Sequence, residues 1–192
     1  MNNAQIDFLR ITTYAWSILF LYWLYTGMRT KINIKKQKAG QRFGYLLLIT
    51  AAFLLVYGNY MSTGFLSVRF LPHTNWISYA GLFINISGII FAIIARSQLG
   101  SNWSGTVTIK KDHELIQNGP YAITRHPIYT GLLFGLIGSV IILGEIRGLI
   151  AITVLFVAIQ KKIDVEEKFL SNVFSEYAEY RQHTRRLIPF IY

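Results

Sequence analysis

Two clusters hold the residues of this 192-residue chain that could do chemistry. The first lies in "NGPYAITRHPIYTG", residues 118–131, where Arg125, His126 and Pro127 stand between Tyr121 and Tyr129. The second is the carboxylate pair Glu166 and Glu167, inside "KKIDVEEKFLSNVFSEYAEYR". A cation, an imidazole and two phenols facing two carboxylates suit a zwitterionic ligand that is partly cationic. The carboxylates take an ammonium, the Arg/His side takes a carboxylate, and the tyrosine faces take a sulfonium or a flat base. S-adenosylmethionine has all four features, and a nucleotide held through its phosphates fits the same groups. The plainer alternatives are structural. Arg125, His126 and Tyr129 would anchor to lipid headgroups. The carboxylates would be exposed partners of Lys161, Lys162 or Lys168, in pairs worth little.

The segments that must bring the clusters together are apolar. Runs cover residues 11–27, 43–61, 77–95, 131–144 and 149–160, the last two separated only by "EIRG". A span needs about 20 residues, so those two are short, and they read as a tight helical hairpin. Such a hairpin returns the chain to its starting level, so His126 before it and Glu166 after it become neighbours. Beyond it, Ile163, Leu170, Phe174 and Tyr177 recur at helical spacing. At about 100° per residue, Glu166 and Glu167 flank that stripe and face inward. Asn118-Gly119-Pro120 reads as a turn, and Pro127 suits the first turn of a helix. Gly81, Asn85 and Gly88 share one helix face, as do Gly131, Gly135 and Gly138, a pattern that lets helix backbones approach closely in lipid.

Composition supports a membrane setting. Hydrophobic residues make up 53% of the chain and charged residues 15%, too few charges to cover a soluble surface. The net charge of +10 sits between apolar runs and not along one face, which disfavours nucleic acid. Arg29, Lys31, Lys35, Lys36, Lys38 and Arg42 follow the first run, and Arg96, Lys110, Lys111 and Arg125 follow the third. Lys161, Lys162, Lys168, Arg181, Arg185 and Arg186 fill the tail, while Arg69 and Arg147 stand alone in the remaining loops. That alternation places the amino terminus outside, and the first loop, residues 96–130 and the tail in the cytoplasm. There is no cysteine, so disulfides, thiolate metal sites and a cysteine nucleophile are excluded. The amino terminus lacks a charged n-region and a cleavage site, so the first run is expected to persist as a membrane segment.

The expected fold is an all-α, polytopic membrane protein of about five transmembrane segments, the last two a tight hairpin, with a cytoplasmic carboxy-terminal helical region. Residues 1–98 would supply three transmembrane helices. Residues 99–192 would supply a cofactor loop, the hairpin and an amphipathic helix, in one integrated domain.

"LGSNWS", then "HELI" and "NGPYAITRHPIYTG", then the Glu pair and a closing "RRLIPF" resemble the isoprenylcysteine carboxyl methyltransferase family and its phospholipid methyltransferase relatives. The resemblance runs from about Leu99 to the end, and its specificity lies in the ordered combination. It implies an integral membrane, S-adenosylmethionine-dependent methyltransferase with a cytoplasmic site and no metal. Carried over position by position, the cofactor contacts fall on His113, Glu114, Leu115, Ile116, Tyr121, His126, Pro127, Ile128, Tyr129 and Glu166, and Glu167 completes the pair. Four residues before the pair the family usually has an arginine thought to meet the acceptor; this chain has Lys162. An ammonium meets a carboxylate as a point charge, without the guanidinium fork.

The resemblance further implies a lipidic acceptor entering from the bilayer, most simply the carboxylate of an isoprenylcysteine or an analogue. Such an acceptor is already ionised at neutral pH and needs no base. An ammonium or thiol acceptor would need one, and His126 and Glu167 are the candidates. Other readings are a phospholipid amine N-methyltransferase and a steroid- or sterol-type membrane reductase using NADPH, which shares an Arg-His-Pro-x-Tyr-x-Gly region. A non-catalytic scaffold would bind neither cofactor.

Overall fold

A computed structural model describes residues 3–28, 33–36, 39–58, 63–102, 108–110, 115–189 and 191. The chain is predominantly helical, as expected. In order come α1 (Asn3–Gly27), β1 (Asn33–Lys36), α2 (Ala39–Tyr57), α3 (Asn75–Leu99), β2 (Thr108–Lys110), α4 (Pro127–Leu143), α5 (Ile146–Val173) and α6 (Tyr177–His183). β1 and β2 form a two-stranded antiparallel ladder, with Lys36 opposite Thr108 and Asn33 opposite Lys110. Sequence periodicity did not foreshadow it, because both segments are short and basic.

Helix ends follow local chemistry. Pro127 opens α4, where its missing N–H costs nothing. Gly144 ends it at φ +66°, a left-handed conformation that favours glycine. Only Gly144 and Glu145 separate α4 from α5. α5 runs without a break from the apolar stretch through the carboxylate pair and stops at Phe174. The tail therefore differs from the single helix expected over it: residues 174–176 form a turn, and α6 starts afresh at Tyr177.

The tightest helix contact joins α3 to α4 along the two glycine faces. A Cβ at Gly138 would lie 2.3 Å from the Asn85 backbone nitrogen, and one at Gly88 would lie 2.5 Å from that of Gly135. One at Gly131 would lie 2.5 Å from the Gly88 carbonyl oxygen. These are backbone-to-backbone contacts that no side chain can yield to, as the small-residue pattern anticipates. Polar groups reinforce them. Asn85 Nδ2 donates to the Gly135 carbonyl at 2.8 Å and to Ser139 Oγ at 3.1 Å. Tyr57 OH donates to the same Ser139 Oγ at 2.8 Å and lies 3.0 Å from Thr12 Oγ1. One small network thus ties α1, α2, α3 and α4 together.

At the opposite end from the carboxylate pair, the isolated loop cations are not solvated charges. Arg147 is 3% exposed, pairs with Glu145 at 2.7 Å, and donates to the Leu55 and Gly58 carbonyls at the end of α2. Arg69 donates to the Leu143 carbonyl at 2.7 Å, satisfying the end of α4. At the carboxylate end, Arg96 is likewise buried, in the last turn of α3, and donates to the Thr26 and Gly100 carbonyls. Each guanidinium meets carbonyls left unpaired at helix termini.

Much of the outer surface is apolar: Tyr14, Ile18, Phe20 and Leu21 on α1, Phe43, Leu47 and Leu54 on α2, and Phe83, Ile90 and Ile94 on α3 are exposed. Among the described residues one helix, Asn75–Asn102, is long and apolar enough to cross a membrane; Phe43–Tyr57 and Pro127–Leu143 are shorter apolar helices.

Gly138→Ala is expected to destabilise the protein by roughly 1–3 kcal/mol, the usual cost of overpacking. Gly44→Ala, where a Cβ meets nothing within 4 Å, should be neutral or stabilising by up to about 1 kcal/mol. Denaturant unfolding of both variants in detergent checks this; equal effects would remove the close approach as an explanation.

Candidate active site

α4 begins where α5 carries its carboxylates, so the two sequence clusters meet. His126, the residue before the first turn of α4, is 6% exposed and lies between the two acids. Its Nδ1 is 3.5 Å from Glu166 Oε2, and its Nε2 is 3.4 Å from Glu167 Oε1. These are ion-pair contacts rather than aligned hydrogen bonds, and Nε2 is buried with no hydrogen-bond acceptor.

Each carboxylate has further partners. Tyr129 OH donates to Glu166 Oε1 at 2.6 Å. Lys162 Nζ lies 4.0 Å from the same oxygen and 5.4 Å from the centre of the Tyr129 ring. Tyr129 is nearly parallel to the His126 ring, with centroids 5.8 Å apart. On the other carboxylate, Arg125 Nε donates to Glu167 Oε1 at 2.9 Å, and Arg186 Nε lies 3.7 Å from Oε2. Arg125 and His126 therefore face inward to protein acids, which replaces their reading as headgroup anchors.

The carboxy-terminal segment closes over this cluster. Arg125 Nη1 donates to the Arg181 and Thr184 carbonyls at the end of α6. Arg125 N donates to the Arg185 carbonyl at 2.8 Å, and Arg185 N to the Ile123 carbonyl at 3.2 Å. Tyr180 OH donates to the Tyr121 carbonyl at 2.7 Å, and Thr130 Oγ1 donates to the Leu187 carbonyl. Residues 120–130 are thus pinned from both sides, by α5 and by the tail.

Charge states follow from these contacts. Burial alone would raise the Glu167 carboxyl, but His126 and Arg125 outweigh it and hold the group at about 2. Burial opposes ionisation of Glu166 too, and His126, Lys162 and Tyr129 again prevail, leaving it below the ordinary carboxylate value. Burial disfavours the His126 imidazolium, yet the two carboxylates raise its pKa above the ordinary one. The site is therefore a compact set of ions, two negative at its centre and cations around them.

The remaining sequence candidates divide. Tyr121 is buried in the 3₁₀ turn Gly119–Ala122, which starts at Gly119 with φ +59°. It packs with Ala95 and Ile128, and with the half-buried Ile116 and Tyr129. Leu115 is half-buried, and Pro127 is buried at the start of α4. His113 and Glu114 lie outside the described residues. Sequence reasoning placed Arg125 in the first cluster, facing a ligand carboxylate, but did not assign Tyr180, Thr184 or Arg186 to the site. The closing "RRLIPF" was the available signal, but only the fold puts that tail beside Arg125.

Residues 80–172 match the model of the isoprenylcysteine carboxyl methyltransferase (ICMT) family. Over 120 residues the chain is 34% identical to an Oryza sativa subsp. indica protein named a probable protein-S-isoprenylcysteine O-methyltransferase, covering 60% of this chain and 63% of that one. Over 122 residues it is 36% identical to the protein-S-isoprenylcysteine O-methyltransferase of Saccharomyces cerevisiae, covering 62% and 51%. The chain thus spans less than two thirds of the length of these relatives. A solved structure of the eukaryotic intramembrane Ras methyltransferase ICMT superposes with a TM-score of 0.57 at 22% identity, covering 100% of this chain and 88% of that one. That likeness concerns the fold. The resemblance read from the motifs is borne out by the sequence matches.

The cluster should leave a pH signature. Glu167 is held at about 2 against an ordinary 4.5, so its stabilisation is complete above 4.5 and drains as pH falls toward 2. His126 is raised from an ordinary 6.5, so its contribution is complete below 6.5 and lost as pH rises through the folded value. Thermal melting in detergent should peak between those limits. Glu167→Gln should flatten the acid limb and His126→Gln the alkaline one. Removing either partner of the buried Arg125–Glu167 pair should cost roughly 3–5 kcal/mol; wild-type-like melting of both single variants would refute the arrangement.

Proposed function

We propose that the chain is an integral membrane methyltransferase that uses S-adenosylmethionine and transfers a methyl group to the carboxylate of a lipidic, isoprenylcysteine-like acceptor. The single observation that carries the choice of acceptor is the state of the two base candidates. His126 sits between carboxylates that raise its pKa and favour its protonated form, and Glu167 at about 2 is too weak a base at neutral pH. An acceptor that must first lose a proton is therefore poorly served, whereas a carboxylate arrives deprotonated.

The residues present fit the cofactor by the chemistry of their donors. Glu166 is an ionised, part-buried carboxylate able to pair with an ammonium, and the Tyr121 and Tyr129 rings offer faces to a cation or a flat base. Ile116 and Ile128 line the same buried patch; His113, Glu114, Leu115 and Pro127 complete the proposed set. When bound, S-adenosylmethionine supplies an electrophilic methyl group on a sulfonium. The protein's part is positional. Lys162 holds the acceptor carboxylate as a point charge, Tyr129 orients Glu166, and His126 with Arg125 keeps Glu166 and Glu167 fixed. Orientation of this kind contributes about 7–11 kcal/mol toward a barrier.

The proposed setting is a five-crossing membrane protein, amino terminus outside, with α4 and the apolar half of α5 as a hairpin. The alternating basic loops and the apolar outer faces of α1, α2 and α3 support it. The cofactor then enters from the cytoplasm and the acceptor sideways from the bilayer.

Calorimetric titration of the detergent-purified protein with S-adenosylhomocysteine is expected to show saturable binding, weakened at least tenfold by Glu166→Gln. With a farnesylated cysteine analogue as acceptor, Lys162→Ala should raise KM about tenfold or more, while Lys162→Arg retains turnover. Binding of NADPH in place of S-adenosylhomocysteine would replace this reading with the reductase, and binding of neither would return the site to a structural role.

A further inference from the structure

On the other side of Glu167 from Tyr129 and Lys162 lies an open groove of about 790 Å³, walled by α5, α6 and the carboxy-terminal tail. The α5 wall presents Asp164, Lys168 and Ser171, which share one helix face; the opposite wall presents Arg181, Arg185 and Arg186. Its acids are already neutralised. Glu167 is paired with Arg125 and Arg186, and Asp164 with Arg186. Among the described residues no ion pair reaches Lys168, Arg181 or Arg185, and all three are exposed. The groove thus gathers cations whose charge the protein does not balance.

Its height along α5 decides what would balance them. The apolar stretch of α5 gives way at Gln160 to Lys161 and Lys162, and Ile163 is the last α5 residue of the main hydrophobic core, which the tail's Leu187 and Ile188 also join. Asp164, about one turn beyond Gln160, pairs there with Arg186. Ile191, at the rim of the groove, is 79% exposed. An exposed apolar residue in a cation-lined groove, next to where the apolar stretch of α5 ends, suits a lipid whose chains lie, in the proposed membrane setting, in the bilayer and whose headgroup rises beside it.

We infer that this groove is a phosphate-ester site, and that its occupant is the headgroup of an anionic phospholipid of the cytoplasmic leaflet. The inference rests on the membrane placement above and not on methyl transfer. Because the groove and the candidate active site share Arg125 and Glu167, an occupied groove adds a negative partner for the cations that hold Glu167. The lipid would then brace the carboxy-terminal tail against α5.

The test is the retention of phosphatidylglycerol against phosphatidylcholine by the detergent-purified full chain, in the absence of any cofactor. Wild-type protein should prefer the anionic lipid. The double change Arg181→Gln and Arg185→Gln should reduce that preference by roughly fivefold per cation removed. Arg181→Lys with Arg185→Lys should retain it, which separates charge from folding. Lys161→Gln, an exposed cation on α5 that does not line the groove, should change it less than twofold. No preference in the wild type, or an equal loss from Lys161→Gln, would overturn the site in favour of diffuse attraction. In a parallel arm, saturable binding of inorganic phosphate with no lipid preference would overturn the lipid as occupant and assign the groove to a soluble phosphate. Since neither arm needs cofactor or turnover, a failed lipid site and a failed methyltransferase reading give different results.

Discussion

Two adjacent, part-buried carboxylates just beyond the apolar stretch of α5 must be neutralised, and most of the structure around them answers that demand. Isolated buried anions cost several kcal/mol each. Glu166 and Glu167 are tolerated because His126, Tyr129 and Lys162 converge on the first and Arg125, His126 and Arg186 on the second. These partners come from α4, α5 and the tail, so satisfying the acids is the same event as assembling the site. The arrangement also biases protonation: the acids are held ionised, and the carboxylates favour the charged form of the imidazole.

That convergence needs rigid support, which comes from two places. The glycine faces of α3 and α4 meet backbone to backbone, leaving little freedom of rotation or slip for the start of α4. At the far end, Arg69, Glu145 and Arg147 hold the α4–α5 connection by capping the ends of α4 and α2. With α4 held against α3 along its length and joined to α5 by a capped turn, residue 126 is placed beside residues 166 and 167, where the ion pairs form. In the proposed membrane setting hydrophobic burial contributes little drive between helices, which gives close approach, buried hydrogen bonds and capped termini a larger share.

Arg125 illustrates a residue whose meaning changes with context. In the sequence it reads as a cation at a membrane lip, suited to headgroups. In the fold it binds Glu167 and two carbonyls at the end of α6, so it organises the tail. In the groove beside it, Lys168, Arg181 and Arg185 make no ion pair among the described residues, in a region where the sequence shows only a basic tail. Arg147 and Arg96 made the same passage from apparent loop charge to buried helix cap.

What the sequence alone settled were properties that depend on local periodicity and solvent. Helical character, the apolar runs, Pro127 at a helix start, the small-residue faces and the paired motifs all follow from spacings of a few residues. The family resemblance followed from the order of those motifs. The tertiary structure decided which charges pair, where α5 yields to α6, and that the tail returns to residues 123–125. Those outcomes depend on contacts between residues 40 to 60 positions apart, such as Arg125 with Glu167 and Thr124 with Arg185. A charge's partner is set by distances through space, and sequence spacing carries that information only within a single helix.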